Sequence, residues 1–216
     1  MNMSSIPLPV FSGKEMTFMA TCYFLGSFTS GYYWVRWRTG QDIRLLGSGN
    51  VGARNVGRLL GPTAFCITLL LDVAKGALAV GVANYAGVST DGVVACILAV
   101  VAGHNWPPQL RFQGGKGVAT SIGALLAFDP LGMLVVLVLF VPIWGLVRNF
   151  TLSGLLAFAV APFVLFLAGF ENPSIAAFSF LAILMLITHR KNVREEFARI
   201  FRTAKPSTDK DTGHEP

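Results

Sequence analysis

The segment from His104 to Thr120 carries the residues best suited to chemistry. Gly114, Gly115 and Gly117 surround Lys116, and Arg111 lies just upstream. Glycines let a backbone bend and approach a ligand with no Cβ in the way. Val118-Ala119-Thr120 then opens an apolar stretch of helical character. A glycine-rich turn feeding a helix start leaves N–H groups exposed at the positive end of the helix dipole. With Lys116 and Arg111 added, the segment is a nest for a phosphate or carboxylate. The same residues would also make a tight connector between two membrane helices, its lysine meeting lipid headgroups. The other polar segments decide between these readings.

Three such segments stand out. Leu46 to Arg58 is basic and rich in glycine and side-chain amides. Its Gly47-x-Gly49-x-x-Gly52 formally matches a dinucleotide fingerprint, with Asp72 further on. No strand precedes it, and Asp72 lies inside a long apolar run, so that reading fails. The Lys116 loop is not a Walker A motif either, because Gly117 and Val118 follow the lysine instead of Ser or Thr. Arg148 to Ser153 is a second basic, hydroxylic turn. His189 and Asn192 are three apart and would share one side of a helix. By residue type alone, His104 reads as a capping or interfacial histidine. The three histidines and scattered Cys22, Cys66 and Cys96 have no metal-ligand spacing, so neither metal nor cofactor is expected.

The elements that must position these segments are apolar. Of the 216 residues, 53% are hydrophobic and only 13% charged, well below the roughly one quarter usual in soluble domains. The expected fold is therefore all-α integral membrane, with about seven transmembrane or partly spanning helices. The first candidate is Met16 to Trp34, closed by interfacial aromatics. Then come Pro62 to Ala83, Val93 to Gly103, Val118 to Phe128, Leu131 to Val147, Leu155 to Phe170 and Ser174 to Thr188. The Val118 segment is too short to cross a core of about 30 Å alone. Asp72 and Lys75 fall on one face of the second span and read as a structural ion pair. Residues 1–13 are expected to fray. A polar tail is expected to open at His189, with disorder in 203–216 after a membrane domain of 1–202.

Charge distribution sets the orientation. All but Lys14 and Lys75 of the 17 Lys/Arg fall in the first polar loop, the Lys116 loop, the Arg148 turn and the tail. The opposite turns hold none. The positive-inside rule makes the loaded side cytoplasmic, with the N-terminus outside and the C-terminus inside. Every unusual polar stretch then converges on one membrane face. The net charge of +6 is accounted for by this pattern and by lipid contact, without nucleic acid.

Taken together the motifs resemble the PlsY family, integral-membrane glycerol-3-phosphate acyltransferases that use acyl phosphate. Ser48-Gly49-Asn50-Val51-Gly52-Ala53-Arg54-Asn55 with Arg58 is similar to the family's first motif. Gly103-His104 through Thr120 is similar to the second, and His189 with Asn192 to the third. Asp72 to Gly76 also resembles the family. Arg54 stands where threonine is usual, Thr151 where serine is usual, and Glu195-Glu196 replaces a basic-apolar continuation.

The resemblance implies transfer of a fatty acyl group from acyl phosphate to the 1-hydroxyl of glycerol 3-phosphate, at the inner membrane of a bacterial-type cell. Lysophosphatidic acid and phosphate would be the products. It implies Lys116, Arg58, His189, Asn192 and His104 as catalytic residues. Ser48, Gly49, Asn50, Asn55, Gly114, Gly115 and Thr151 would bind substrate, the Gly114 and Gly115 amides meeting a phosphate or oxyanion. No obligate protein partner is implied. Two other readings fit the residues: a carrier or lipid-binding protein with a phosphate-recognising face, and a family member that binds acyl phosphate without turnover.

Overall fold

The computed structural model describes residues 10–203, and side chains as far as Arg194 with the exception of Asn192. Among these residues every regular element is helical. The order is α1 (Gly13–Ser27), α2 (Ser30–Thr39), α3 (Ala53–Leu60), α4 (Pro62–Tyr85), α5 (Thr90–Asn105), α6 (Val118–Phe128), α7 (Pro130–Val147), α8 (Phe150–Leu167) and α9 (Asn172–Thr203). Five segments are long and apolar enough to cross a membrane: Pro62–Tyr85, Thr90–Leu110, Pro130–Val147, Phe150–Leu167 and Asn172–Lys191. The outward residues of α7, including Leu131, Leu134, Leu137, Val138 and Val141, are exposed. Such a face suits lipid and not water. The chain is an integral membrane protein.

Local sequence explains where the helices start. Ser89 and Asn149 cap α5 and α8 through the N–H groups of Gly92 and Leu152. Asp129 caps α7 ahead of Pro130 at its first position. Ser12 and Glu15 form a capping box on α1, so order begins before the end of the stretch expected to fray.

Two boundaries differ from expectation. The first apolar run is not one span. It breaks between Ser27 and Ser30 into α1 and α2. The break turns the Phe28 carbonyl outward to accept from Lys75 Nζ at 2.9 Å, and Ser30 Oγ donates to Asp72 Oδ1 at 3.2 Å. A buried charge pair has recruited backbone that a continuous helix would have kept for itself. At the other end, α9 runs past His189 to Thr203, so helix continues where a polar tail was expected to open. Residues beyond Thr203 lie outside the described residues.

Glycines set the closest helix crossings. A Cβ on Gly26 would lie 2.0 Å from the Val100 carbonyl oxygen, and one on Gly103 2.0 Å from that of Tyr23. Gly76 faces the Thr120 carbonyl and Gly123 that of Val73 at similar range. Backbones of α1 and α5, and of α4 and α6, therefore touch directly, as small residues permit in membranes. A second, smaller core of Val35, Ile43, Val51, Val56, Ala64 and Leu110 joins the first polar loop to the Lys116 loop.

Candidate active site

Below the Lys116 loop lies a buried polar knot. Lys75 Nζ reaches Asp72 Oδ1 at 2.8 Å, His104 Nδ1 at 2.8 Å and the Phe28 carbonyl at 2.9 Å. An ammonium has three N–H donors, and these acceptors engage all of them. His104 Nδ1 is thus an acceptor, which leaves its proton on Nε2. The 3.7 Å approach of His104 Nδ1 to Asp72 is then a neighbour contact and not an ion pair. The ion pair read from the spacing of Asp72 and Lys75 is present within α4, and it is tied to the α1–α2 break and to α5.

His104 in turn holds the loop. Its carbonyl accepts from Gly115 N–H at 2.9 Å, and the Asn105 carbonyl accepts from Gly114 N–H at 3.0 Å. A Cβ on Gly115 would lie 1.9 Å from His104 Nε2, so only glycine lets the loop close over the ring. The Gly114 and Gly115 amides, expected to meet an anion, are engaged here by α5. His104, expected among the catalytic residues, is 3% exposed and bracketed by Lys75 and the loop, which it supports. The loop turns into α6 at Gly117, which has φ +80° and no side-chain cap.

The first polar loop is built by Asn55. Its Nδ2 donates to the Leu46 and Asn50 carbonyls at 2.9 and 3.0 Å, and its Oδ1 accepts from Ser48 N–H at 3.0 Å. The side chain is buried. Asn55, expected to bind substrate, here shapes the loop that presents exposed Ser48 and the half-buried Gly49 and Asn50. Arg44 ties the same loop to the next one, donating to the Leu110 carbonyl at 2.7 Å. The Arg44 guanidinium also pairs with Asp42, holding that carboxyl below its usual range.

The remaining polar segments meet around Lys116. Thr188 Oγ1 of α9 shares its one proton between the Met185 carbonyl at 3.1 Å and the Lys116 carbonyl at 3.3 Å. The next residue, His189, is buried and places Nδ1 2.9 Å from the Met185 carbonyl. A carbonyl only accepts, so Nδ1 carries the proton and Nε2 keeps a lone pair. Lys116 and Arg54 both act electrostatically on this ring. Arg54, at the start of α3, donates from Nη1 to Thr151 Oγ1 in the first turn of α8. Its guanidinium lies over the Phe150 ring, 5.8 Å from the centroid. Lys116, His189, Arg54 and Thr151 thus come from four separate elements into one region.

A family model described as glycerol-3-phosphate acyltransferase matches residues 16–199. The chain is 42% identical over 174 residues to glycerol-3-phosphate acyltransferase 1 of Desulfitobacterium hafniense (strain Y51), covering 80% of this chain and 86% of that one. The chain belongs to the glycerol-3-phosphate acyltransferase family. It is also 40% identical over 183 residues to the enzyme of Geobacter sulfurreducens, covering 84% of this chain and 93% of the relative. A crystal structure of PlsY, an integral membrane glycerol 3-phosphate acyltransferase in its glycerol 3-phosphate form, superposes with TM-score 0.78 at 32% identity. It covers 86% of this chain and 93% of that one.

Within this acyltransferase fold the predicted residues fall into three groups. Lys116, His189 and Thr151 are brought together. Ser48, Gly49, Asn50 and Arg58 lie on the loop and helix that carry Arg54, with Arg58 one turn beyond it on the same exposed face. Asn192 follows His189 on α9, but its side chain lies outside the described residues. Arg54 and Thr188 were not among the expected site residues. Arg54 and Arg58 sit four apart on one face of a short basic helix, a pattern that could have flagged Arg54. Among the described residues no group of His, Cys, Asp and Glu could hold a metal. A cavity of about 520 Å³ lies elsewhere, between the α6–α7 and α8–α9 turns, lined partly by Asp129 and Glu171. Its carboxylates make it unsuited to a phosphate.

Proposed function

We propose that the chain transfers a fatty acyl group from acyl phosphate to the 1-hydroxyl of glycerol 3-phosphate, at the cytoplasmic face of a bacterial-type cell membrane, with the N-terminus outside. The observation that carries this reading is the meeting of Lys116, His189, Arg54 and Thr151 beside apolar, outward-facing helices. A site for two phosphorylated molecules, one with a fatty chain, needs cations at the water side and a route to lipid.

In the proposed reaction the acceptor's O1 attacks the acyl carbonyl carbon. The new C–O ester bond forms, and the bond from that carbon to the phosphate oxygen breaks. Phosphate leaves with the electron pair. Acyl phosphate is already activated, so no covalent enzyme intermediate is required. Orientation and charge stabilisation supply the acceleration. Lys116 and Arg58 bind phosphate and stabilise developing negative charge. The uncapped first turns of α3 and α6 contribute backbone N–H groups in place of those of Gly114 and Gly115. Ser48, Gly49, Asn50 and Thr151 orient glycerol 3-phosphate, and His189 with Asn192 positions its hydroxyl. The hydroxyl proton passes to His189 Nε2 or to a substrate phosphate oxygen.

The test is donor choice and stoichiometry with purified protein. Acyl phosphate should yield inorganic phosphate and lysophosphatidic acid one for one, with acyl-CoA and acyl carrier protein inactive as donors. Equal use of acyl-CoA, or binding of acyl phosphate with no phosphate released, would overturn the proposal.

A further inference from the structure

Arg54 is placed against ordinary helix electrostatics. It lies in the first turn of α3, where the dipole disfavours a cation, and no acidic residue accompanies it there. Among the described residues it makes no ion pair with a carboxylate. What holds it is α8: the Thr151 hydroxyl takes one of its donors, and the Phe150 ring lies beneath the guanidinium. A guanidinium has five N–H donors in a rigid fork. Thr151 therefore fixes its direction and leaves most of its donors unused. The side chain is exposed, so those donors are accessible.

We infer that Arg54 binds the phosphate of glycerol 3-phosphate, held in place by Thr151 and Phe150, and so tightens the hold of this chain on its phosphorylated acceptor. The inference rests on the reaction proposed above and adds a substrate-binding residue to it. The planar guanidinium is essential to the role. It can donate to a hydroxyl from one edge, lie on an aromatic face and present a bidentate edge to a phosphate, a combination that an ammonium does not reproduce. Bound phosphate would also resolve the misplaced charge at the start of α3. Phe150 is a positioning residue, acting only through Arg54.

The experiment compares wild type, R54Q, R54K, F150L and F150W as full chains in detergent, each shown to be folded by gel filtration. Kd for glycerol 3-phosphate is read by calorimetry, and KM and kcat by phosphate release. R54Q should raise Kd and KM for glycerol 3-phosphate roughly 10- to 100-fold, with kcat changed far less. R54K should recover only part of this. F150L should raise KM about threefold, F150W should reverse that, and the F150L effect should vanish in an R54Q background. R54Q values within twofold of wild type would overturn the inference, as would a loss confined to kcat, or an F150L effect that persists without Arg54. If wild type binds glycerol 3-phosphate but does not turn over acyl phosphate, the proposed reaction fails while the Kd series still decides the role of Arg54. No binding of glycerol 3-phosphate to wild type would overturn both.

Discussion

Two polar clusters in this protein use the same residue types on opposite terms. Asp72, Lys75 and His104 are all buried, and every donor of Lys75 meets a protein acceptor. Around Lys116 and His189, cations gather from separate elements, and among the described residues neither Arg54 nor Arg58 pairs with a carboxylate. A cation closed off by its own chain holds structure together. Cations assembled with little acidic balance attract an anion from outside. The clusters are joined through His104, whose ring contacts Lys75 on one side and the Gly115 backbone on the other. Architecture and chemistry thus fall to different residues that are in contact through His104.

The largest expected effect breaks the first cluster. Lys75→Met strands Asp72 in an apolar bundle and should cost about 3–5 kcal/mol of stability, read as a collapse of the melting temperature in detergent. Combining it with Asp72→Leu should restore most of the stability but not the activity, because His104 loses the partner that fixes it beneath the loop. If the double variant is fully active, the two clusters are independent. Lys116→Ala attacks the second cluster. It should leave the melting temperature near that of wild type and lower acyl transfer about 10²- to 10³-fold. Normal turnover in folded protein would remove Lys116 from the chemistry.

Asn55→Ala tests whether the first loop belongs to architecture or to binding. It deletes three hydrogen bonds to loop backbone. About 2–3 kcal/mol of stability should be lost, with a raised KM for glycerol 3-phosphate that follows the loosening of Ser48 and Asn50. A raised KM with unchanged stability would return Asn55 to the binding residues.

The smallest effect lies far from both clusters. Ser12→Ala removes one half of the α1 capping box and should cost about 1 kcal/mol with kcat unchanged. Hydrogen bonds from Ser89, and then from Ser12, hold the Glu15 carboxyl down at about 2, against 4.5 for an unperturbed group. A lowered acid contributes stability above its unfolded value and loses it as pH falls through the folded one. Glu15→Gln should therefore flatten the melting temperature between pH 4.5 and about 2.

Hydropathy located the apolar segments from Pro62 onward, because it is a local property of the chain. The break at Phe28 and Thr29 was harder to read. Its small polar residues, Ser27, Thr29, Ser30 and Gly31, sit within an otherwise spanning-length run. Their purpose depends on Lys75, which is 47 residues away from Phe28. Gly114 and Gly115 illustrate a second limit. Their glycines were legible, but glycine serves ligand approach and tight packing equally well, and only the position of His104 shows which applies. Arg54 was visible as an extra cation. Its partner Thr151 lies 97 residues downstream, and no local pattern connects them.

The arrangement around Lys75 also bears on how the molecule enters a bilayer. Its acceptors come from its own helix, from the preceding break at Phe28 and from the following helix at His104. Released into lipid alone, α4 would carry an ammonium with two of its three needs unmet. Partners from α1 through α5 are thus needed before that cation is fully satisfied. A truncation after α4 should integrate less efficiently than the longer chain, even though that helix is long and apolar enough by itself.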